Sequence, residues 1–405
     1  MDPAEVSVVL NQLAQRFENA EEPADAVPSA HGWGQFLDDP KTHHQTGPYG
    51  TSAGLIVSAL AGRAPEALEG RIGKLVQSWW DDWKSDRADR RVLFCQTPRL
   101  AVFYLGLRLS GILAVTKASE AVEEELLRRA LPSSGMWGDY WTSDALMDPT
   151  PRLFCSSIVV LSITLLRDVP KPILERIEPA VLNIEQHLVG SKNLPLLHGA
   201  AACAAVLSVR REAMSDQVRN RIRKIAWSSR ADLGDLGVYF YDFQSASPAG
   251  APCPGRDYFI VPAELLMGIA GFQNNAPAAL RERAHSTAKA LIDNMTNNHG
   301  VYRADPEQRV SSKNQAWAAL LLSLAKSPPP DSRAFGAIWY WLRRERKGNW
   351  FTEIVFPVAS LCTITWLSVA FRELGVPMNV LTTIGTVIIG GLYGSAFIKK
   401  WFPGR

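Results

Sequence analysis

The tetrad Thr-Pro-Arg-Leu occurs twice, at 97–100 and again at 150–153, and each copy leads into an apolar stretch. It reads as a helix start. The Thr hydroxyl caps the free backbone N–H groups, and Pro fits the first helical position, where its missing N–H costs nothing. Similar starts recur. Pro48 begins PYGTSAGLIVSAL, Pro195 begins PLLHGAAACAAVL and Pro262 begins PAELLMGIAG. Ser312 and Gln315 form an S-x-x-Q capping box before AWAALLLSLA. The six apolar helices start near 48, 98, 151, 195, 262 and 312, roughly every 50 residues, as a repeat architecture requires.

Between them lie amphipathic, charged segments at about 4–19, 66–86, 118–131, 171–190, 210–229 and 277–296. Glu123, Glu124, Glu125, Arg128 and Arg129 form the solvated face of one. Amphipathic helices alternating with nearly all-apolar ones fit two concentric layers, the apolar set inside. The expectation is an all-α protein whose residues 1–330 close as an (α/α)6 toroid of helical hairpins.

A glycine-to-aromatic step precedes several inner helices: Gly32-Trp33, Gly135-Met-Trp137, Gly237-Val-Tyr239 and Gly300-Val-Tyr302. Gly after a helix can turn left-handed, and the aromatic ring can then fill the gap between hairpins. Together with the repeat, this pattern resembles the terpenoid-cyclase and protein-prenyltransferase toroid superfamily over about residues 1–330. LHGAAACAAVL and GPYGTSAGLIVSAL are also similar to the glycine-rich inner helices of lanthionine-synthetase cyclases.

The resemblance implies chemistry that the residues only partly match. Class II cyclases protonate an alkene with a D-x-D-D acid, whereas Asp148-Pro149-Thr150-Pro151 keeps one acid of the three. Asp148 is a weak catalytic candidate, and a helix-start cap is its plainer reading; Asp144 is weaker still. Asp81-Asp82-Trp83-Lys84-Ser85-Asp86 misses the D-D-x-x-D metal spacing by one and reads as a solvated charge run. The family zinc site needs Cys and His at set places. Cys253 and Asp257, the latter a second weak catalytic candidate, lie in SASPAGAPCPGRDYF, and no Cys-His pair stands near 312. His43-His44 reads as a loop pair. Neither a metal nor another cofactor is expected.

The positive signal is basic. Arg99 and Arg152 hold equivalent places in two repeats, and His198, Arg256, Tyr258 and Lys313 stand at other helix starts. Helix N-termini carry partial positive charge, so one end of the ring becomes a basic mouth suited to an anion. Ion pairs between repeats, through Asp148 or Asp257, are the competing use of these arginines.

Two uncharged runs close the chain, 354–371 and 374–398, each near or above the roughly 18–20 residues that cross a bilayer. Arg343, Arg344, Arg346 and Lys347 precede them, within an amphipathic basic linker helix at 331–350, and Lys399, Lys400 and Arg405 follow. The positive-inside rule makes 351–405 a transmembrane hairpin with both ends cytoplasmic. Residues 1–23 show no cationic start and no apolar core of a signal peptide. Cys95, Cys155, Cys203, Cys253 and Cys362 form no CxxC pair and read as buried thiols. A net charge of +3 gives no bias towards nucleic acid. Gly390 and Gly394 offer a small-residue face for homo-oligomerisation.

Two functions fit. One is a membrane-anchored toroid that binds or processes an isoprenoid or lipid-type ligand through its basic mouth. The alternative is a non-enzymatic membrane effector or interaction protein, for example in bacterial anti-phage defence, whose toroid senses a partner and whose hairpin acts on the membrane.

Overall fold

The computed structural model describes residues 1–23, 31–34, 36–38, 46–63, 65–84, 96–111, 113–138, 150–166, 169, 171–209, 214–228, 261–303 and 310–326. The chain divides into two compact units, Met1–Pro329 and Pro330–Arg405. Every described residue belongs to the first. The linker helix at 331–350 and the hairpin at 351–405 lie outside the described residues.

Twelve helices are described: α1 (Pro3–Asn19), α2 (Pro48–Leu60), α3 (Pro65–Lys84), α4 (Thr97–Ser110), α5 (Leu113–Arg128), α6 (Leu153–Thr164), α7 (Lys171–Gly190), α8 (Leu196–Ser208), α9 (Asp216–Ser228), α10 (Ala263–Gly271), α11 (Ala278–Asn297) and α12 (Ser312–Lys326). The even-numbered helices pack each on the next, and α12 returns to α2, so the inner ring is closed. Odd-numbered helices lie outside, each against at least one inner neighbour. The fold is an (α/α)6 toroid. Among the described residues, β-structure is limited to the antiparallel pair Glu22–Pro23 and His31–Gly32 and one bridge, Phe36 to Ser311.

Burial explains the two layers. Along α8, Ala200 to Ala205 are all fully buried, and along α6 so are Ile158 to Leu161. Such helices have no solvated face and must be enclosed. Outer helices bury one stripe, as in α7 with Ile173, Ile177, Ala180, Val181, Ile184 and Leu188. Hydroxyls inside the ring are satisfied locally. Ser156 and Ser157 donate to the carbonyls of Arg152 and Leu153 at 2.8 and 2.7 Å.

One device recurs at three hairpin boundaries. The fourth residue of an inner helix accepts a hydrogen bond from the backbone N–H of the preceding aromatic. Thr51 Oγ1 does so for Trp33 at 3.3 Å, Ser156 Oγ for Trp137 at 2.9 Å and Gln315 Oε1 for Tyr302 at 2.7 Å. All three aromatics are buried. Gly135 and Gly300 hold φ of 66° and 87°, the left-handed conformation that glycine adopts cheaply. Gly32 instead joins the short strand pair. The Gly237-Tyr239 step lies outside the described residues.

Two helix-start expectations need correction. Thr-Pro-Arg-Leu does not cap in either copy. Thr97 lies inside α4, whose N-cap is Gln96, while the second copy precedes α6, with Arg152 as its N-cap. The two arginines are therefore not structurally equivalent. At α12, Ser312 Oγ donates to the Gly34 carbonyl at 2.7 Å, and the Gln315 amide donates to the Tyr302 carbonyl at 2.7 Å. Ring closure uses both side chains, and no capping box forms.

A Cβ on Gly54 would sit 2.3–2.5 Å from Trp33 ring carbons. Gly54→Ala should therefore lower stability by about 1–3 kcal/mol, the usual effect of overpacking. Gly70→Ala, in α3 with nothing within 4 Å, should be neutral or gain up to about 1 kcal/mol in helix propensity. Thermal melting of the two variants against wild type checks both.

Candidate functional site

Three inner helices bring their N-terminal turns together where the ring closes. Tyr49 is the second residue of α2, Arg99 the third of α4 and Lys313 the second of α12. Helix α2 packs between the other two. The Arg99 guanidinium carbon lies 4.3 Å from the centre of the Tyr49 ring, and Lys313 Nζ lies 4.9 Å from the same centre. Aromatic faces attract cations over such distances. Arg99 and Lys313 are 6% and 5% exposed, so both charges are nearly out of water. Burial, and secondarily the Arg99 charge, depress the Lys313 pKa to about 7. Two cations thus share one ring at the positive ends of three helices.

The remaining expected residues stand elsewhere. Arg152, half-buried at the N-cap of α6, donates its backbone N–H to the Trp137 carbonyl at 3.0 Å. His198 is the third residue of α8, and its ring stacks on Phe154 at 5.8 Å between centroids. Burial lowers its pKa. Asp148, Asp257, Tyr258, Arg256 and Cys253 lie outside the described residues. Among the described residues, Lys313 and Arg99 are the members of the expected set that converge on one side chain.

Two further groups were not legible as site residues. Glu264 is the second residue of α10 and 3% exposed. Its Oε2 accepts from Arg283 Nη2 of α11 at 2.5 Å. Burial raises its pKa, while Arg283 opposes the rise. Tyr302, 2% exposed, lies within electrostatic reach, and burial followed by the Glu264 charge raises its pKa. The signal was available in part: Glu264 is the lone charge in PAELLMGIAG. Tyr49, in PYGTSAG, carried no signal, because only ring closure places it between two cations.

A separate cleft of about 500 Å³ lies where the first and last hairpins join, lined in part by Arg16, Asn19, Asp38, His299 and Arg303. Its polar groups bind one another across the seam. Arg303 meets Asp38 at 3.1 Å, Asp38 accepts from the Val310 N–H at 2.9 Å, and Arg16 donates to the His299 carbonyl at 3.3 Å. These bonds make the cleft part of the closure. Among the described residues, no cluster of three His, Cys, Asp or Glu could hold a metal ion. Cys155 and Cys203 are buried thiols in no disulfide, the latter pushed up to about 12 by burial. No helix of the described residues is long and apolar enough to cross a membrane.

No protein-family model matches the sequence, and no curated protein matches it. Solved structures do. An inactive variant of the α-1,6-mannanase GH76A of Salegentibacter sp. HEL1_6, in complex with α-1,6-mannotetrose, matches at TM-score 0.51 and 13% identity, over 80% of this chain and 99% of that one. The structure of that mannanase itself matches at 0.50 and 12%, over 79% and 98%. A variant of the type II terpene cyclase MstE from Scytonema is similar at 0.47 and 10%, over 81% and 98%. At such identities the mannanase likeness shows the fold alone, and that fold is the toroid built above from the helix packing.

Proposed function

We propose that the toroid binds an anionic ligand of isoprenoid or other lipid type between Arg99 and Lys313, and that residues 354–371 and 374–398 hold it at the cell membrane with its flanks cytoplasmic. The observation that carries the reading is the convergence of two nearly buried cations on one tyrosine ring. Like charges so placed repel each other, and the N-terminal ends of α2, α4 and α12 add partial positive charge. An anion of two or more charges is attracted by all of these at once, most strongly where water is excluded. The lipid-type class of the ligand is inferred from the apolar composition of the inner helices and of the two uncharged C-terminal runs. Catalysis is assigned to no residue.

Inorganic pyrophosphate is the simplest probe of the charge cluster. Arg99→Ala and Lys313→Met should each weaken its binding about 10–100-fold, the effect of losing a charge-assisted hydrogen bond, and Arg99→Ala should change the melting temperature little. Calorimetric titration of the full chain in neutral detergent measures this. Unchanged binding together with a stability loss of roughly 3–5 kcal/mol would mean that Arg99 is half of a buried ion pair instead.

Protonation of Lys313 supplies a second check. Its pKa of about 7 in the folded chain lies below the ordinary lysine value of 10.5. Between these two values the unfolded chain holds a proton that the folded chain lacks, so stability rises with pH through that window. Below about pH 7 the folded chain carries the full penalty of a charged, buried lysine. Lys313→Met should stabilise most at pH 6 and least above pH 10, by melting across that range. Binding an anion recharges Lys313, so pyrophosphate affinity should fall as pH rises above about 7 in wild type, and Lys313→Met should flatten the profile.

Truncation after residue 348 removes both uncharged runs and none of the twelve helices. The shortened chain should be soluble and keep its pyrophosphate affinity, whereas the full chain should float with membranes on a density gradient. A truncated chain that still floats would remove the hairpin from the reading.

A further inference from the structure

The cleft at the ring seam has the size of a ligand site. Its volume of about 500 Å³ falls within the range of small-molecule sites, about 300–1,000 Å³. One wall is the end of α1, with Arg16, together with Asp38. The other is the end of α11 and the turn after it, with Asn297, Asn298, His299 and Arg303. The seam engages only some of these groups. Asp38 is held at both oxygens, by Arg303 at 3.1 Å and by the Val310 N–H at 2.9 Å. Arg16 bonds the His299 carbonyl through Nε alone, at 3.3 Å, and its two terminal nitrogens meet no protein group among the described residues. The same holds for the Asn297 amide and the His299 imidazole. The Asn298 amide nitrogen donates to the Asn294 carbonyl at 2.7 Å, and its oxygen stays open. A ligand can reach all of these without breaking a bond of the seam.

His299 is also the one described residue other than glycine with a left-handed backbone, at φ 57°. That conformation is costly for a residue with a Cβ, and outliers of this kind gather at binding sites. Here it brings the carbonyl to Arg16 and leaves the imidazole on the cleft wall.

Charge and shape define what fits. Asp38 neutralises Arg303, so Arg16 supplies the net charge of the cleft. Helices α1 and α11 both end here, and helix C-termini carry partial negative charge. Those ends and Asp38 oppose a dianion more than a monoanion. The two terminal nitrogens of a guanidinium match the two oxygens of a carboxylate. The amides and a neutral imidazole each offer a donor and an acceptor, and a hydroxyl, which is itself both, suits them in either orientation.

We propose that this cleft binds a small polyhydroxy carboxylate, with its carboxylate on Arg16 and its hydroxyls on Asn297, Asn298 and His299. Because the walls come from the first and last hairpins, such a ligand binds the closed ring and stabilises it by mass action. The site shares no residue with the Arg99–Lys313 cluster and stands independently of it.

Calorimetric titration of the full chain in neutral detergent tests this, with gluconate, acetate, sorbitol and inorganic phosphate as probes. Gluconate should bind at least about tenfold more tightly than each of the others, since a site built for hydrogen-bonding groups rejects ligands that lack them. It should also raise the melting temperature. Arg16→Gln should weaken gluconate about 10–100-fold, the effect of losing a charge-assisted bond, and should leave pyrophosphate binding unchanged. Arg176→Gln, on α7 and outside the cleft, should leave gluconate binding unchanged. His299→Gly should weaken gluconate binding and melt no lower than wild type, because glycine accepts the left-handed backbone. Equal affinity for gluconate and sorbitol overturns the carboxylate contact, and equal affinity for gluconate and acetate overturns the hydroxyl contacts. Tightest binding by phosphate overturns the ligand class. An Arg16→Gln variant that keeps gluconate affinity and only melts lower overturns the site, since Arg16 would then serve only the end of α1. So does failure of wild type to bind gluconate, whatever pyrophosphate does.

Discussion

The packing of α12 on α2 closes the ring, and both the core and the site depend on it. These helices are far apart in sequence, and nothing local draws them together. The seam is held by bonds from the 31–38 segment to residues before and at the start of α12: Ser312 to the Gly34 carbonyl, Leu37 N–H to the Val310 carbonyl and Arg303 to Asp38. Gly300 adds a close approach, since a Cβ there would lie 2.6 Å from Cβ of Gln12 in α1. An open arrangement would expose the apolar flanks of α2 and α12, and at roughly 25 cal/mol per Å² the hydrophobic term strongly favours closing them. Closure is also what carries Lys313 to the ring that Arg99 already faces.

The inner helices gain from being parallel and lose from it as well. Each hairpin returns the chain, so all six inner N-termini lie at one end. This concentrates partial positive charge there. The protein then places real charges at the same end. Cations stand on α4 and α12, and an acid stands on α10 with its arginine drawn from α11. Buried charges of this kind weaken a fold unless they are matched. Arg283 meets Glu264 at 2.5 Å, and Arg129, 1% exposed and directly after α5, meets Glu125 at 2.8 Å.

Much of this architecture was legible from local pattern. The six apolar segments and the six amphipathic ones fall within a few residues of the observed helices, because periodicity and burial follow from the same side chains. α5 and α9 drifted most at their N-terminal ends, at 113 rather than 118 and 216 rather than 210. The glycine-to-aromatic step was readable too, since a left-handed residue needs glycine and a gap needs a large ring. The capping readings failed for a physical reason. Ser, Thr and Gln bond whichever backbone group is nearest, and at Ser312 and Gln315 that group belongs to the neighbouring hairpin.

The sequence by itself therefore determined the helices, their two classes and the number of hairpins, all of which rest on spacing within about twenty residues. It also marked Arg99 and Lys313 as charges at helix starts. It could not pair them. Two copies of Thr-Pro-Arg-Leu made Arg99 and Arg152 look like partners, yet one lies inside its helix and the other before it. Only the tertiary structure decided that Arg99 shares Tyr49 with Lys313, and that Glu264 of α10 pairs with Arg283 of α11. Which charges meet depends on which ends of the ring touch, and that is set by burial summed over the whole ring.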